Sequence, residues 1–312
     1  QNNLIGLSLS LLRLRAHHEL AVLELGTNHF GEIRELTRIA APSVGVITNI
    51  GPAHLEFFGD EHGVLKEKWD LVSELAWPRI AILNADDPLL RNKVSSLMGD
   101  VTAFTFGIKH KADIMAKRIT SRGKRVSFYV KNYPLSLTTV SKVNVYNALA
   151  SYTLARIFSI DAYDIVKKFR EFCFPHARFQ MKKIQGVNVI DDAYNANPAS
   201  FRHALEAFNT LAVRGRKILV MADMLELGRA GESLHKTIGE ALSKTTVDMI
   251  VGIGPLSHIA CDAAEICGFN AQAIYRCSSR QQARDIISAI AKKNDTILLK
   301  GSRAMRLEEI FK

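Results

Sequence analysis

Short apolar runs separated by helical patterns constrain this chain most, because a run of roughly four to eight buried residues bounded by turns is what a strand covered on both faces requires. "AVLEL" at 21–25, "VGVIT" at 44–48 and "RIAIL" at 79–83 have that form, and residues 62–76 and 87–98 repeat at helical spacing. Strands alternating with helices imply an α/β fold, a parallel sheet with crossover helices. Residues 101–140 break the series. "VTAFTF", "DIMAKRI", "RVSFYV" and "YPLSLTT" are parted by Gly and Lys/Asn turns and predict a small antiparallel sheet, with helices over 144–158 and 161–172 after it. A second series, with strands at 187–190, 217–222, 248–254, 272–275 and 296–300, predicts a Rossmann-like α/β domain. A Pro and a basic run in 173–186 part the two blocks, giving domains 1–182 and 183–312 with a hinge between them.

Composition narrows the class. The 312 residues are 47% hydrophobic and 23% charged, which excludes disordered, collagen-like and disulfide-scaffold chains. At roughly 150 residues per domain, two domains are expected. The net charge of +10 divides into +7 over residues 1–182 and +3 over 183–312, without the aromatic interleaving of a single-strand binder. The expectation is no nucleic acid partner and an anionic small substrate. No run of 18 apolar residues predicts membrane insertion and no signal peptide is read at the start, so the chain is expected to be cytoplasmic, as a monomer. Cys173, Cys261, Cys267 and Cys277 form no CxxC pair and are expected to be buried free thiols. With Gln1 rather than Met at its start, the sequence is expected to be a fragment.

Three residues break their local pattern. Glu24 sits in an apolar run near its carboxyl end, where a buried carboxylate needs a partner or a metal; an ion pair and a catalytic or metal role are equally open. His54 follows the next strand in "ITNIGPAHLEFFG", a Gly- and Asn-rich loop that can present it to a cleft, although a lone His is more often structural. Lys68 falls on the apolar stripe of Val64, Leu65, Trp69, Leu71, Val72 and Leu75, whereas Lys66, Glu67 and Asp70 tile the polar face. It is either a snorkelling stem or a desolvated, modifiable amine. In the second half, "VIDDAYNANPAS", "MADMLELG" and "KGSRAMRLEE" put polar clusters at three strand ends, the mark of a binding edge. Asn197 with Pro198 reads as a helix cap.

In order along nearly the whole chain, "VLELGTNHFGEI", "ITNIGPAHLEFFG", "KEKWD", "NVYNALA", "FPHARFQ", "DDAYNANP", "MADMLELG" and "KGSRAM" resemble the Mur ligase family, and the "YNANP" and "DMLELG" forms resemble its dipeptide-adding branch. The resemblance implies a central ATPase domain followed by a C-terminal ligase domain. The implied activity joins D-alanyl-D-alanine to the terminal carboxylate of UDP-N-acetylmuramoyl-tripeptide, with ATP and Mg²⁺, in peptidoglycan precursor synthesis. Glu24, His54 and a carbamylated Lys68 match magnesium ligands. Asn144 and Asn147 match positions near adenine, and Arg178 and Asp192 match residues on the phosphate and ribose ends of ATP. Tyr194, Asn195, Asn197, Lys300 and Ser302 match the dipeptide- and reaction-facing surface. The sequence departs from the pattern at Val143, where a His often precedes Asn144, and at Ala222, where a Gly usually precedes Asp223. It contains no GxxxxGK[ST] phosphate loop, so little ligation is expected of these 312 residues alone. The alternative expectation is an inactive remnant that binds nucleotide or peptide.

Overall fold

The computed structural model describes residues 2–97, 99–123, 125–139, 141–174 and 179–311. The chain separates into two compact units, one of residues 1–118, 128–135 and 145–167, the other of residues 119–127, 136–144 and 168–312.

In the first unit, α1 (Leu4–Leu11) and α2 (Glu32–Ala40) precede β1 (Val44–Ile47), and α3 (Leu55–Phe58) and α4 (Glu61–Ser73) lead to β2 (Ile80–Asn84). After α5 (Pro88–Ser95) come β3 (Thr102–Gly107), β4 (Ile114–Arg122), β5 (Arg125–Val130) and β6 (Tyr133–Leu137), then α6 (Val143–Ile157) and α7 (Ala162–Glu171), of which residues 119–127, 136–144 and 168–171 belong to the second unit. The sheet runs in the order β1-β2-β3-β4-β5-β6. Ala81, Ile82 and Leu83 of β2 are fully buried, which is why the run reads as continuously apolar.

Two expectations fail here. Residues 21–25 form no strand, and Val22 and Glu24 are exposed. A strand exists only through ladder hydrogen bonds, and in this sheet β1 has β2 as its one neighbour. Residues 101–140 are not all antiparallel: β3 pairs parallel with β2 over five positions and meets β4, also parallel, at Phe106↔Ile114 and Gly107↔Met115. Only the two-residue connections β4–β5 and β5–β6 have the length that antiparallel neighbours need.

The second unit holds β7 (Gln180–Ile184), β8 (Val187–Asp191), α8 (Pro198–Thr210), β9 (Lys217–Ala222), α9 (Gly231–Leu242), β10 (Met249–Ile253), α10 (Pro255–Ile266), β11 (Ile274–Cys277), α11 (Arg280–Ile290) and β12 (Thr296–Lys300). Its order is β11-β10-β9-β12-β8-β7. Among the described residues its strand pairs are parallel except β7 with β8. β7 was not expected from the sequence; because it hydrogen-bonds β8 from Gln180 onward, the second sheet begins before the expected boundary at 183. Buried residues line both faces of this sheet, Phe201, Phe208 and Ile238 among those on one and Ile287, Leu307 and Ile310 among those on the other. Cys261 and Cys277 are buried free thiols as expected, whereas Cys173 and Cys267 are exposed. Among the described residues no helix is long and apolar enough to cross a membrane.

Candidate functional site

The carboxyl ends of β1 and β2 are where an open α/β sheet offers a ligand its crevice. The loop after β1 is fixed there by three side chains. Asn84 Nδ2, at the end of β2, donates to the Thr48 carbonyl at 3.0 Å. Asp87 accepts the Ile50 N–H through Oδ2 at 2.6 Å while its Oδ1 caps α5 by accepting from Leu89 and Leu90. Lys68 Nζ, arriving from α4, donates to the Asn49 carbonyl at 3.0 Å. Burial pushes the Lys68 pKa down, against the opposing pull of the Asp87 carboxylate. The amine is therefore directed at the β1 loop.

His54 closes that loop. It is half-buried, caps α3 in the left-handed region at φ 53° and ψ 34°, and lies edge-on to Phe58 at 6.4 Å between ring centroids. A non-glycine residue there costs backbone energy that the surrounding structure must offset. Glu24, expected at a buried strand end, is exposed and accepts from Asn2 Nδ2 at 3.0 Å. Among the described residues, no group of three or more His, Cys, Asp and Glu side chains is arranged to hold a metal ion.

Two acidic residues carry structure that the sequence did not disclose. Glu67, expected on the polar face of α4, is only 1% exposed: Oε1 accepts from Ile33 N at 2.8 Å and Thr27 Oγ1 at 3.1 Å, and Oε2 from Gly31 N at 2.7 Å. A carboxylate there complements the amino end of α2. Its partners lie 34 to 40 residues away, so helical spacing alone assigns it to solvent. Asp86 accepts N–H groups from Ile108, Lys109 and His110 and the Tyr146 hydroxyl at 2.9 Å. Burial alone would raise its pKa, yet these donors hold it at about 2. Burial, and after it the same contact, push the Tyr146 phenol up. "NADDP" announces a cap, and that signal reaches Asp87 but not Asp86.

Asn144 and Asn147 lie in the first turns of α6, Asn144 half-buried with Nδ2 donating to Thr139 Oγ1 at 2.9 Å, Asn147 exposed. Arg178 lies outside the described residues.

In the second unit the three polar clusters come from β9, β12 and β8, which are neighbours in the sheet. Lys300, expected on the reaction-facing surface, is 2% exposed. Its Nζ lies 2.8 Å from Asp192 Oδ2 and donates to the Asp192 and Asn195 carbonyls at 3.3 and 2.8 Å. Burying the ammonium is tolerable because each of those oxygens answers it. Asp192 Oδ1 also accepts from Phe179 N at 3.0 Å. Asn197 caps α8 in a reciprocal box with Ser200, and Asn195 Oδ1 accepts from Ala196 N. Ser302 Oγ accepts from Leu225 N at 2.8 Å, joining the β12 loop to the β9 loop. Asp223 accepts from Ser257 N at 2.7 Å. Gly254 follows at φ +102°, where a Cβ would sit 2.5 Å from the Asp223 carboxylate. His235, another residue the sequence left unmarked, accepts the Met224 N–H at Nε2 and meets the Gly231 carbonyl at Nδ1; burial lowers its pKa, so the neutral ring braces the loop. Tyr194 stands out at 46% exposed.

Residues 1–155 match the Mur ligase middle domain and residues 177–303 the Mur ligase, glutamate ligase domain. The UDP-N-acetylmuramoyl-tripeptide--D-alanyl-D-alanine ligase of Bacillus subtilis (strain 168) is 33% identical over 317 residues, covering 100% of this chain and 67% of the relative. The enzyme of the same name from Escherichia coli (strain K12) is 31% identical, with 100% and 68% covered. Among solved structures, MurF from Acinetobacter baumannii superposes with a TM-score of 0.87 at 28% identity over 99% of this chain and 67% of that one. MurF ligase from Thermotoga maritima in complex with ADP gives 0.82 at 27% identity over 98% and 69%. The chain belongs to the Mur ligase family. The two relatives are named as ligases of UDP-N-acetylmuramoyl-tripeptide and D-alanyl-D-alanine.

Proposed function

We propose that this chain is the catalytic part of an ATP-dependent ligase that joins D-alanyl-D-alanine to the terminal carboxylate of UDP-N-acetylmuramoyl-tripeptide in peptidoglycan precursor synthesis. The observation that carries the reading is similarity over the whole chain to ligases named for that reaction, at 33 and 31% identity. ATP phosphorylates the tripeptide carboxylate, and the dipeptide amine displaces phosphate from the acyl phosphate through a tetrahedral intermediate. Negative charge gathers between the substrates in both steps, so fixed positive groups and positioning dominate the catalysis.

Mg²⁺ is the further cofactor of this reading. Of the groups that would hold it, the Glu24 carboxylate and, on Lys68, a carbamate oxygen suit a hard cation, with the His54 imidazole as a nitrogen ligand beside them. A desolvated amine of lowered pKa reacts with CO₂ as the neutral base, and Lys68 has that environment beside the Asn49 carbonyl. When bound, the ion neutralises phosphate oxygens. Lys68 and Asp87 meanwhile hold the β1 loop, Asn144 and Asn147 take the adenine end, and Arg178 and Asp192 the phosphate and ribose ends. Asn197, Lys300 and Ser302 fix the loops that present Tyr194 and Asn195 to the dipeptide. The first part of the chain acts as the ATP-binding domain and the part from β7 onward as the ligase domain, in a cytoplasmic monomer. The test is mass spectrometry of the full gene product with ATP, Mg²⁺, the tripeptide nucleotide and D-alanyl-D-alanine. The pentapeptide nucleotide formed with one phosphate released per bond supports the reading; no product and no phosphate contradicts it.

A further inference from the structure

Glu67 is a buried carboxylate that none of the chemistry above uses, and its contacts converge on one segment. Thr27 to Ile33 is closed by two acids. Glu67 accepts from Thr27 Oγ1, Gly31 N and Ile33 N. Glu32 Oε2 accepts from Asn28 N at 2.6 Å, His29 N at 3.0 Å and Thr27 Oγ1 at 3.2 Å. The single Thr27 Oγ1–H is shared among the His29 carbonyl at 2.9 Å, Glu67 Oε1 at 3.1 Å and Glu32 Oε2 at 3.2 Å, and so links the two carboxylates. Burial of Glu32 would raise its pKa, but these three donors hold it below the ordinary value.

The segment also grips the helix that His54 begins. His29 packs on Phe57 at 4.3 Å and Phe30 on Phe58 at 5.1 Å between ring centroids, and Phe58 in turn meets the His54 ring. Three residues before Thr27 stands Glu24, and one residue after Glu67 stands Lys68. The Thr27–Ile33 segment therefore packs on the helix that His54 begins, is anchored one residue before Lys68, and follows by three residues Glu24, which itself accepts from Asn2 Nδ2. The three groups read above as metal donors come from stretches up to 44 residues apart, and a shift of one against the others would open the set.

We infer that Glu67 is a positioning residue for the cation: by anchoring the Thr27–Ile33 segment to α4 it sets Glu24 and His54 relative to Lys68. The inference rests on the metal reading of those three residues. It is distinct from a plain cap on α2, which would affect helix stability and leave ion affinity alone.

The measurement is Mn²⁺ binding to the full gene product, followed by electron paramagnetic resonance of the free ion, with amide exchange read in parallel. In Glu67→Gln the amide nitrogen opposes one N–H that the carboxylate now accepts, so exchange at Gly31 or Ile33 accelerates. The inference expects Mn²⁺ affinity to fall about tenfold. Thr27→Val keeps the amide contacts of Glu67 and removes the bridge to Glu32; it is expected to fold as the parent does and to weaken Mn²⁺ binding about threefold, within the range of outer contacts to a metal site. Faster exchange with unchanged affinity in both variants reduces Glu67 to a cap and overturns the inference alone. If the unmodified protein binds no Mn²⁺, the metal reading itself fails, and this inference with it.

Discussion

At the residue scale, buried charges divide into those that brace loops and those aimed at the site. Asp86 belongs to the first kind. Its pKa of about 2 lies below the ordinary 3.8, so the stability it contributes is fully present above 3.8 and drains away as pH falls toward 2. Asp86→Asn puts an amide among N–H donors and is expected to cost about 2 kcal/mol at neutral pH. It should also flatten the acid limb of the unfolding curve between pH 4 and 2; an unaltered limb would show that the Ile108–His110 amides gain nothing from the charge. Lys300 is the second case. Removing the ammonium in Lys300→Ala leaves the Asp192 carboxylate facing a cavity, with an expected loss of about 3 kcal/mol by denaturant titration. A loss under about 0.5 kcal/mol would place the pair among exposed ones. Lys68, by contrast, was marked by its helical spacing alone, because a cation on an apolar stripe is legible wherever the stripe is. Glu67 was not, since its partners are fixed by the approach of α2 to α4 and leave no local trace.

Among the elements, those buried on both faces were the most readable. β9 and β12 fall on residues 217–222 and 296–300, as their apolar runs predict, because every position in them is buried. The run at 21–25 is as apolar but makes no ladder, and local sequence does not encode whether a neighbour is present. β7 was missed for the opposite reason: "QMKKI" has too few apolar residues to register, and antiparallel pairing with β8 makes it a strand. The cap read from the sequence, Asn197 on α8, acts locally and is observed. Asn197→Ala removes the bond to Ser200 N and is expected to cost about 1 kcal/mol, with amide exchange rising in the first turn of α8; unchanged exchange there would mean that Pro198 and the buried Phe201 hold the turn unaided.

Over the whole molecule, two α/β units and a family were legible from motifs in order, whereas the environment of each site residue was not. The family resemblance implies that Lys300 and Ser302 lie on a reaction-facing surface; in the structure their polar atoms bond neighbouring loops. Whether Glu24, His54 and Lys68 serve one cation is the point on which the ligase chemistry turns. The decisive measurement is ligation by Lys68→Ala in the full gene product, with and without added short carboxylic acids, because a free carboxylate can stand in for a lost carbamate. Activity cut by at least about a thousandfold, with partial return on adding acetate or formate, is the expected result, a barrier change of about 4 kcal/mol. Near-normal turnover without any added acid would contradict it and return Lys68 to a stem that merely holds the Asn49 carbonyl.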